Sequence, residues 1–251
     1  MTKVFARELS HKLPEPAPVR HRLRGHERRA EILTAATKVF HRKGYEAASL
    51  QDIADELGIR KASLFYYFPS KEELLHEVLA SIISRGIANL RQIMAVPADP
   101  LTVLWRLVAG HILHLCEYLE ETAVFLHERK SIPAEKRHTV LADDHTYQNH
   151  FVETIREAQA AGLIRPDVDP KLAALSVLGS ANWTYTWFRR SGSMKPEVIG
   201  EQFATMSVNG LASPKALETW RKPSLSKTSL SKPPVSKPSV SEAISPSAAR
   251  R

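Results

Sequence analysis

The residues best equipped for chemistry in this chain cluster ahead of position 72, and the chemistry they suit is recognition of a polyanion. Lys61-Ala62-Ser63 is followed by Phe65-Tyr66-Tyr67-Phe68 and then by Lys71, an interleaving of cations and phenols. Lysine reaches guanine acceptors, Ala62 or Ser63 can touch a thymine methyl, and the phenols of Tyr66 and Tyr67 reach phosphates. Ser49 precedes an apolar stripe, where the free N–H groups and hydroxyl of a helix start suit a phosphate. Gln51 suits a phosphate or a base edge. Two alternatives stay open: Ser49 also reads as a plain N-cap, and Tyr45 either gives its phenol to phosphate or packs over the fourth helix. Arg20, Arg22 and Arg24 alternate just ahead of the first helical period.

The charge distribution points the same way. The 251-residue chain carries a net charge of +8. Residues 1–29 hold eight Lys/Arg against three Asp/Glu, and residues 215–251 hold eight against two, so the body between is mildly acidic. Basic ends on an acidic body suit a nucleic-acid partner, or serve only solubility. No apolar run approaches the ~20 residues of a membrane span, and the N-terminus lacks the apolar centre of a secretory signal. The single cysteine, Cys116, cannot form an internal disulfide, which fits a cytoplasmic protein.

The elements that must position these residues are helices. Ile32, Leu33, Ala36, Val39 and Phe40 recur on one helical face from residue 27 onward, and Gly44 follows as a C-cap. Ser49 opens a second short helix, closed by Gly58; a third runs 61–67 and stops at Pro69. Ser70-Lys71-Glu72-Glu73 reads as a capping box that opens a long fourth helix. Within the third helix Leu64 and Phe68 are four apart and face inward, which leaves Lys61, Ala62, Ser63, Tyr66 and Tyr67 outside. Helix, short helix, glycine turn and short helix form a helix-turn-helix layout. Further helices are expected over 101–118, 121–130, 134–161, 171–190 and 196–210, with no strand signal: an all-α chain of about nine helices. The domains expected are a flexible basic arm at 1–25, a DNA-binding domain at 26–72, a ligand-binding and dimerisation domain at 73–213, and a disordered Ser/Lys/Pro-rich tail at 214–251.

The stretch from Ala30 to Leu75, with Gly44-Tyr45 before Ser49, Ile53-Ala54 and Leu57-Gly58 in the second helix, the aromatic third helix and Ser70-Lys71-Glu72-Glu73-Leu74, resembles the DNA-binding domain of the TetR family of transcriptional repressors. The ending from Trp183 to Leu211 is similar to a subgroup that regulates fatty-acid and steroid breakdown, several members of which respond to acyl-CoA thioesters. The resemblance implies a homodimer on a double-stranded palindromic operator, released by a small-molecule effector. It implies that Lys71 clamps a phosphate and that Arg20, Arg22 and Arg24 reach a minor groove. It also implies a tyrosine where this chain has Phe65, so the usual hydroxyl is missing there.

The body supplies the remaining candidates. Trp105, His111, His114, Leu115, Phe125, Phe151, Trp183 and Trp187 are large or polarisable groups on body helices, and the family places a ligand cavity there. Each could instead be core or dimer interface. Trp183 and Trp187 are expected to share a face. Arg129 and Arg156 could anchor a carboxylate or a CoA phosphate, or form surface ion pairs. Leu172, Leu175, Leu178, Gly179 and Asn182, an alternation of apolar and small residues, are expected at the dimer interface in a four-helix arrangement. The pairs His111/His114 and His145/His150 lack a supporting cysteine cluster or His-Glu-x-x-His pattern, so no metal is assigned. No nucleophile elbow, Gly-rich phosphate loop or paired-carboxylate motif is present, so no catalytic residue and no cofactor are expected. An architectural DNA-binding protein without an effector is the alternative reading.

Overall fold

The computed structural model describes residues 19–132 and 134–225. Within them the chain forms eleven helices: α1 (Val19–Lys43), α2 (Leu50–Glu56), α3 (Lys61–Phe65), α4 (Lys71–Met94), α5 (Pro100–Glu117), α6 (Leu119–Glu128), α7 (Ala134–Ala160), α8 (Pro170–Asn182), α9 (Thr184–Trp187), α10 (Pro196–Leu211) and α11 (Pro214–Thr219). The only β contact among the described residues is an isolated bridge between Ile164 and Ala212.

Local signals set most boundaries. Ser49 and Ser70 cap α2 and α4, each accepting the N–H three residues on. Asp99 and Asp169 do the same for α5 and α8, with Pro100 and Pro170 at the first helical position, where the missing N–H costs nothing. Gly44 (φ 75°) and Gly58 (φ 64°) end α1 and α2 in the left-handed region that glycine enters at no steric cost.

The small domain closes around Ile32, Phe40, Ile53, Leu64 and Phe68, each at most 1% exposed. Burying each such side chain contributes about 1.5–3 kcal/mol. This core is continuous with that of the body along α4. In the body α5 is the central rod: Leu101, Leu104, Trp105, Leu107, Val108 and Ile112 are all buried, with α4, α7, α8 and α10 packed around it. The approach of α10 is close. A Cβ on Gly200 would stand 3.1 Å from the Ala109 carbonyl oxygen.

Three boundaries differ from the expected ones. First, α1 starts at Val19, so Arg20, Arg22 and Arg24 belong to a helix and not to an arm ahead of it. Second, the expected 171–190 helix breaks at Trp183. The run Trp183-Thr-Tyr-Thr-Trp187 is rich in residues of modest helix propensity. The break turns Phe188 into a second core with Ile112, Leu115 and Ile199. Trp183, at the break, is 65% exposed, while Trp187, one turn further on, is half-buried against that second core.

Third, the folded chain does not end at 213. Ser213 caps α11, Ala216 is buried, and Trp220 and Leu225 pack against the main core. The Trp220 indole N–H donates to Thr102 Oγ1 at 3.1 Å, and Lys222 pairs with Glu201 at 3.0 Å. The remainder of the expected tail, and the arm through residue 18, lie outside the described residues. Trp220→Ala is expected to lower unfolding free energy by about 1–3 kcal/mol in urea titration, whereas a tail without structural role would show no change.

Candidate DNA-binding face and ligand cavity

Helix α3 presents the face its spacing required. Leu64 and Phe68 are fully buried, while Lys61, Ala62 and Ser63 are exposed and Tyr66 is 84% exposed. Tyr67 is half-buried, its ring edge-on to Tyr66 with centroids 5.1 Å apart. The Phe65 ring, with no hydroxyl to offer, instead lies 5.7 Å from the Lys61 ammonium, a cation–π distance. Arg29 of α1 holds the end of this helix. One guanidinium nitrogen donates to the Tyr67 carbonyl at 3.0 Å, another pairs with Glu77 at 3.2 Å, and the group lies over the Phe68 ring at 4.3 Å.

At the start of α2 the hydroxyl and backbone N–H of Ser49 both donate to Asp52 Oδ2 at 2.9 Å, and the hydroxyl accepts from the Asp52 N–H at 3.1 Å. Lys43, 2.6 Å from Oδ1, and the Ser49 donors hold the Asp52 carboxyl down to about 2. Gln51 is exposed and donates to Asp55 at 2.7 Å.

Lys71 and Tyr45 both turn towards the protein. The Lys71 ammonium donates to three carbonyls of the α1–α2 loop, those of Tyr45 (2.8 Å), Ala48 (3.0 Å) and Glu46 (3.3 Å), and lies 4.3 Å from the Tyr45 ring centroid. An ammonium has three donors, and here all are used inside the protein. Lys71 thus ties the start of α4 to the α1–α2 loop. Tyr45 is 6% exposed and edge-on to Phe40, so of its two readings the packing one fits the geometry.

In the body a cavity of about 230 Å³ opens between α4, α5, α6, α7 and α8. Its apolar wall includes Ile82, Ile83, Leu115, Phe125 and Leu178. Its polar end is a hydrogen-bonded chain. The Tyr147 hydroxyl and His111 Nδ1 are 2.6 Å apart, and His111 Nε2 is 3.0 Å from Asn182 Oδ1. Because the Asn182 oxygen can only accept, Nε2 carries the proton and Nδ1 accepts from the phenol. Burial pushes His111 down to about 4, and burial with its neighbours His111 and Arg85 pushes His114 down to about 3. Both imidazoles are neutral at neutral pH. Arg129 and Asp144 close the lining as an ion pair at 2.7 Å.

Of the sequence candidates, His111, His114, Leu115, Phe125 and Arg129 line this cavity. The others do not. Trp105 is core, its N–H donating to Thr205 at 3.2 Å, and Phe151 is buried edge-on to His111 behind the wall. Arg156 forms an exposed pair with Glu153 on the surface of α7. Trp183 and Trp187 lie outside the lining as well. Leu175, Leu178, Gly179 and Asn182, expected at a dimer interface, line the cavity. Leu175 (44%) and Gly179 are nonetheless exposed, in one stripe with Leu172 (67%) and Trp183. Sequence reading missed Asp144, Tyr147 and Gln148, whose spacing on α7 puts them on one face with Phe151. It also missed Gly86, where a Cβ would stand 3.0 Å from the Tyr147 ring.

A helix-turn-helix pair with an exposed Lys/Ser/Tyr face, joined by a continuous helix to a body with an internal cavity, defines a DNA-binding transcriptional regulator. Residues 32–78 match the family described as bacterial regulatory proteins, tetR family, and residues 97–211 match the tetracyclin repressor-like C-terminal domain. The chain belongs to the TetR family, whose members are regulators and not enzymes. It is 29% identical over 188 residues to the HTH-type transcriptional repressor KstR2 of Rhodococcus jostii, covering 74% of this chain and 92% of that protein. Among solved structures it is similar to the TetR-family regulator PfmR of Thermus thermophilus (TM-score 0.65, 32% identity, 71% of this chain and 97% of that one). It is also similar to AibR in complex with isovaleryl coenzyme A and operator DNA (TM-score 0.67, 30% identity, 71% and 97%).

Lys61 and Lys71 are expected to separate in a salt titration of operator binding. Lys61→Ala, which removes a cation facing the base edges, should weaken operator binding by about 1–3 kcal/mol, relax specificity and make the salt slope shallower. Lys71→Met should weaken binding and lower the melting temperature while leaving the slope unchanged.

The histidines give a pH test. Their folded values lie below the 6.5 of an exposed imidazole, so the unfolded chain takes up protons first. Stability should be level above pH 6.5 and fall as pH drops from 6.5 towards 4, and His111→Phe should flatten part of that fall in pH-dependent urea unfolding.

Proposed function

We propose that this chain is a homodimeric transcriptional repressor that binds a palindromic operator through α3 and leaves it when a small molecule, an acyl-CoA thioester by preference, occupies the body cavity. The observation that carries this reading is the continuity of α4. Its first residue, Lys71, holds the DNA-binding domain, and Ile82, Ile83 and Gly86, about 17–22 Å further along the same helix, line the cavity. A ligand that fits only with α4 displaced must move the domain that α4 carries. Such a ligand shifts the equilibrium only by the difference in its affinity for the two states.

The cavity supports an acyl ligand by its chemistry. Its wall is largely apolar, its histidines are neutral, and its one ion pair is internally compensated, so an uncharged acyl chain enters without leaving a buried charge unpaired. That AibR has been solved with isovaleryl coenzyme A supports the same class.

The exposed stripe Leu172, Leu175, Gly179 and Trp183 on and after α8, with Val198 and Met206 on α10, supports dimerisation through these helices. A large apolar face of this kind is characteristic of an interface. The two α3 helices would then enter successive major grooves about 34–36 Å apart. Lys61, Ala62 and Ser63 would meet base edges, Ser49, Gln51, Tyr66 and Tyr67 the backbone, and Arg20, Arg22 and Arg24 the flanking minor groove.

A gel shift on the DNA upstream of the chain's own gene, with and without a panel of acyl-CoA thioesters, tests the reading. The expected result is specific retention of a palindromic fragment and its release by at least one thioester. Retention without sequence preference would instead favour an architectural role, and specific binding untouched by every thioester would remove the effector class.

A further inference from the structure

The cavity wall and the DNA-binding domain meet at one backbone residue and reach it from two sides. The Tyr45 carbonyl accepts from Lys71 of α4 at 2.8 Å, and the Tyr45 N–H donates to Glu128 Oε1 at 3.0 Å. Glu128 is the last residue of α6. Its other oxygen accepts from the Ser131 hydroxyl at 3.0 Å, which fixes the carboxylate's orientation. The next residue, Arg129, lines the cavity and pairs with Asp144 of α7. Phe125, one turn earlier, lines the cavity as well. A single helix end thus holds the cavity with Phe125 and Arg129 and the DNA-binding loop with Glu128.

From this the geometry points to Glu128 as a positioning residue that passes the state of the cavity to the helix-turn-helix domain through Tyr45, in parallel with α4. The inference rests on the effector-released reading given above and adds a second route to it. Phe125, Glu128 and Arg129 lie within about one helical turn, so a displacement that accommodates a ligand against Phe125 or Arg129 carries Glu128 along. The bond from Glu128 to the loop has an ionised acceptor, which makes it stronger than a hydrogen bond between neutral peptide groups. The loop follows the helix, and α2 and α3 follow the loop, because Ser49 caps α2 only four residues beyond Tyr45. With Lys71 on the carbonyl and Glu128 on the N–H, motion of α4 relative to α6 would rotate the loop about Tyr45.

Three variants of the full chain test this, read by amide hydrogen exchange at Tyr45 and by operator Kd. Asp144→Asn loosens Arg129 inside the cavity without touching the DNA-binding domain. It is expected to raise Tyr45 exchange at least threefold and to change operator Kd by about three- to tenfold in the wild-type background. In a Glu128→Ala background the same change should alter Kd less than about twofold. Glu128→Gln retains a carbonyl oxygen for the Tyr45 N–H and should restore the response to Asp144→Asn, which a purely structural role for the side chain would not require. If Asp144→Asn leaves Tyr45 exchange and Kd at wild-type values, or acts equally with and without Glu128, the proposal is overturned whether or not a ligand is known. Isovaleryl coenzyme A and longer acyl-CoA thioesters form the second arm. Release of wild-type but not Glu128→Ala protein from the operator is the expected outcome, and equal release of both would overturn the role of Glu128 while leaving the effector reading intact. Failure of every thioester on the wild type would count against the effector class alone, since the Asp144→Asn arm still decides on Glu128.

Discussion

Everything this molecule does with DNA depends on how one loop, residues 44–49, is held. Its Gly44 and Ser49 carbonyls are taken by backbone N–H groups of the loop and of α2. The Lys71 ammonium satisfies three of the others at once. Because Lys71 is also the first residue of α4, these bonds add to the shared hydrophobic core in joining the DNA-binding domain to the body. The same loop meets the body a second time through Glu128 on the Tyr45 N–H.

The cavity follows from a related constraint. A space with polar groups at one end in a helical core must satisfy them or hold something that does. Here the Tyr147–His111–Asn182 chain satisfies itself, with an unprotonated Nδ1 and a protonated Nε2, while burial keeps both cavity histidines neutral. Among the described residues, the only full charges in the lining, Arg129 and Asp144, are paired with each other. The interior is therefore polar with no net charge. A ligand must break one of these internal bonds or fill the apolar wall beside them, and either way it acts on side chains whose helices lead to Tyr45.

The DNA-binding domain was legible from sequence because its determinants are local. Ser49 and Ser70 as caps, Gly44 and Gly58 as stops, and the four-residue spacing of Leu64 and Phe68 act within a turn or two of chain, and the structure follows them. Lys71 was legible as important but its bonds to the loop were not, since its three acceptors lie 23–26 residues away and no local pattern announces them. In the body, the aromatic residues were a partial guide: Phe125 lines the cavity, but four other rings do not. Trp105 and Phe151 fill the core because large rings are the best core fillers. The cavity is marked instead by a buried aspartate, a tyrosine and a small residue, Asp144, Tyr147 and Gly86, contributed by helices far apart in sequence. The break after Asn182 and the extension through Trp220 likewise depend on tertiary partners, Phe188 with Ile112 and Trp220 with Thr102, which outweigh the local composition.

The central claim is that occupancy of the cavity changes the posture of the DNA-binding domains. It is tested most directly by the distance between two spin labels, one per protomer, attached at Ala47→Cys in the exposed part of the α1–α2 loop. Cys116 is buried with its thiol pushed up to about 12, so it should stay unlabelled. The account expects one distance distribution on operator DNA and a displaced one, by several ångströms, when the cavity is filled by a thioester that releases the DNA. A releasing ligand that leaves the distribution unchanged would contradict it.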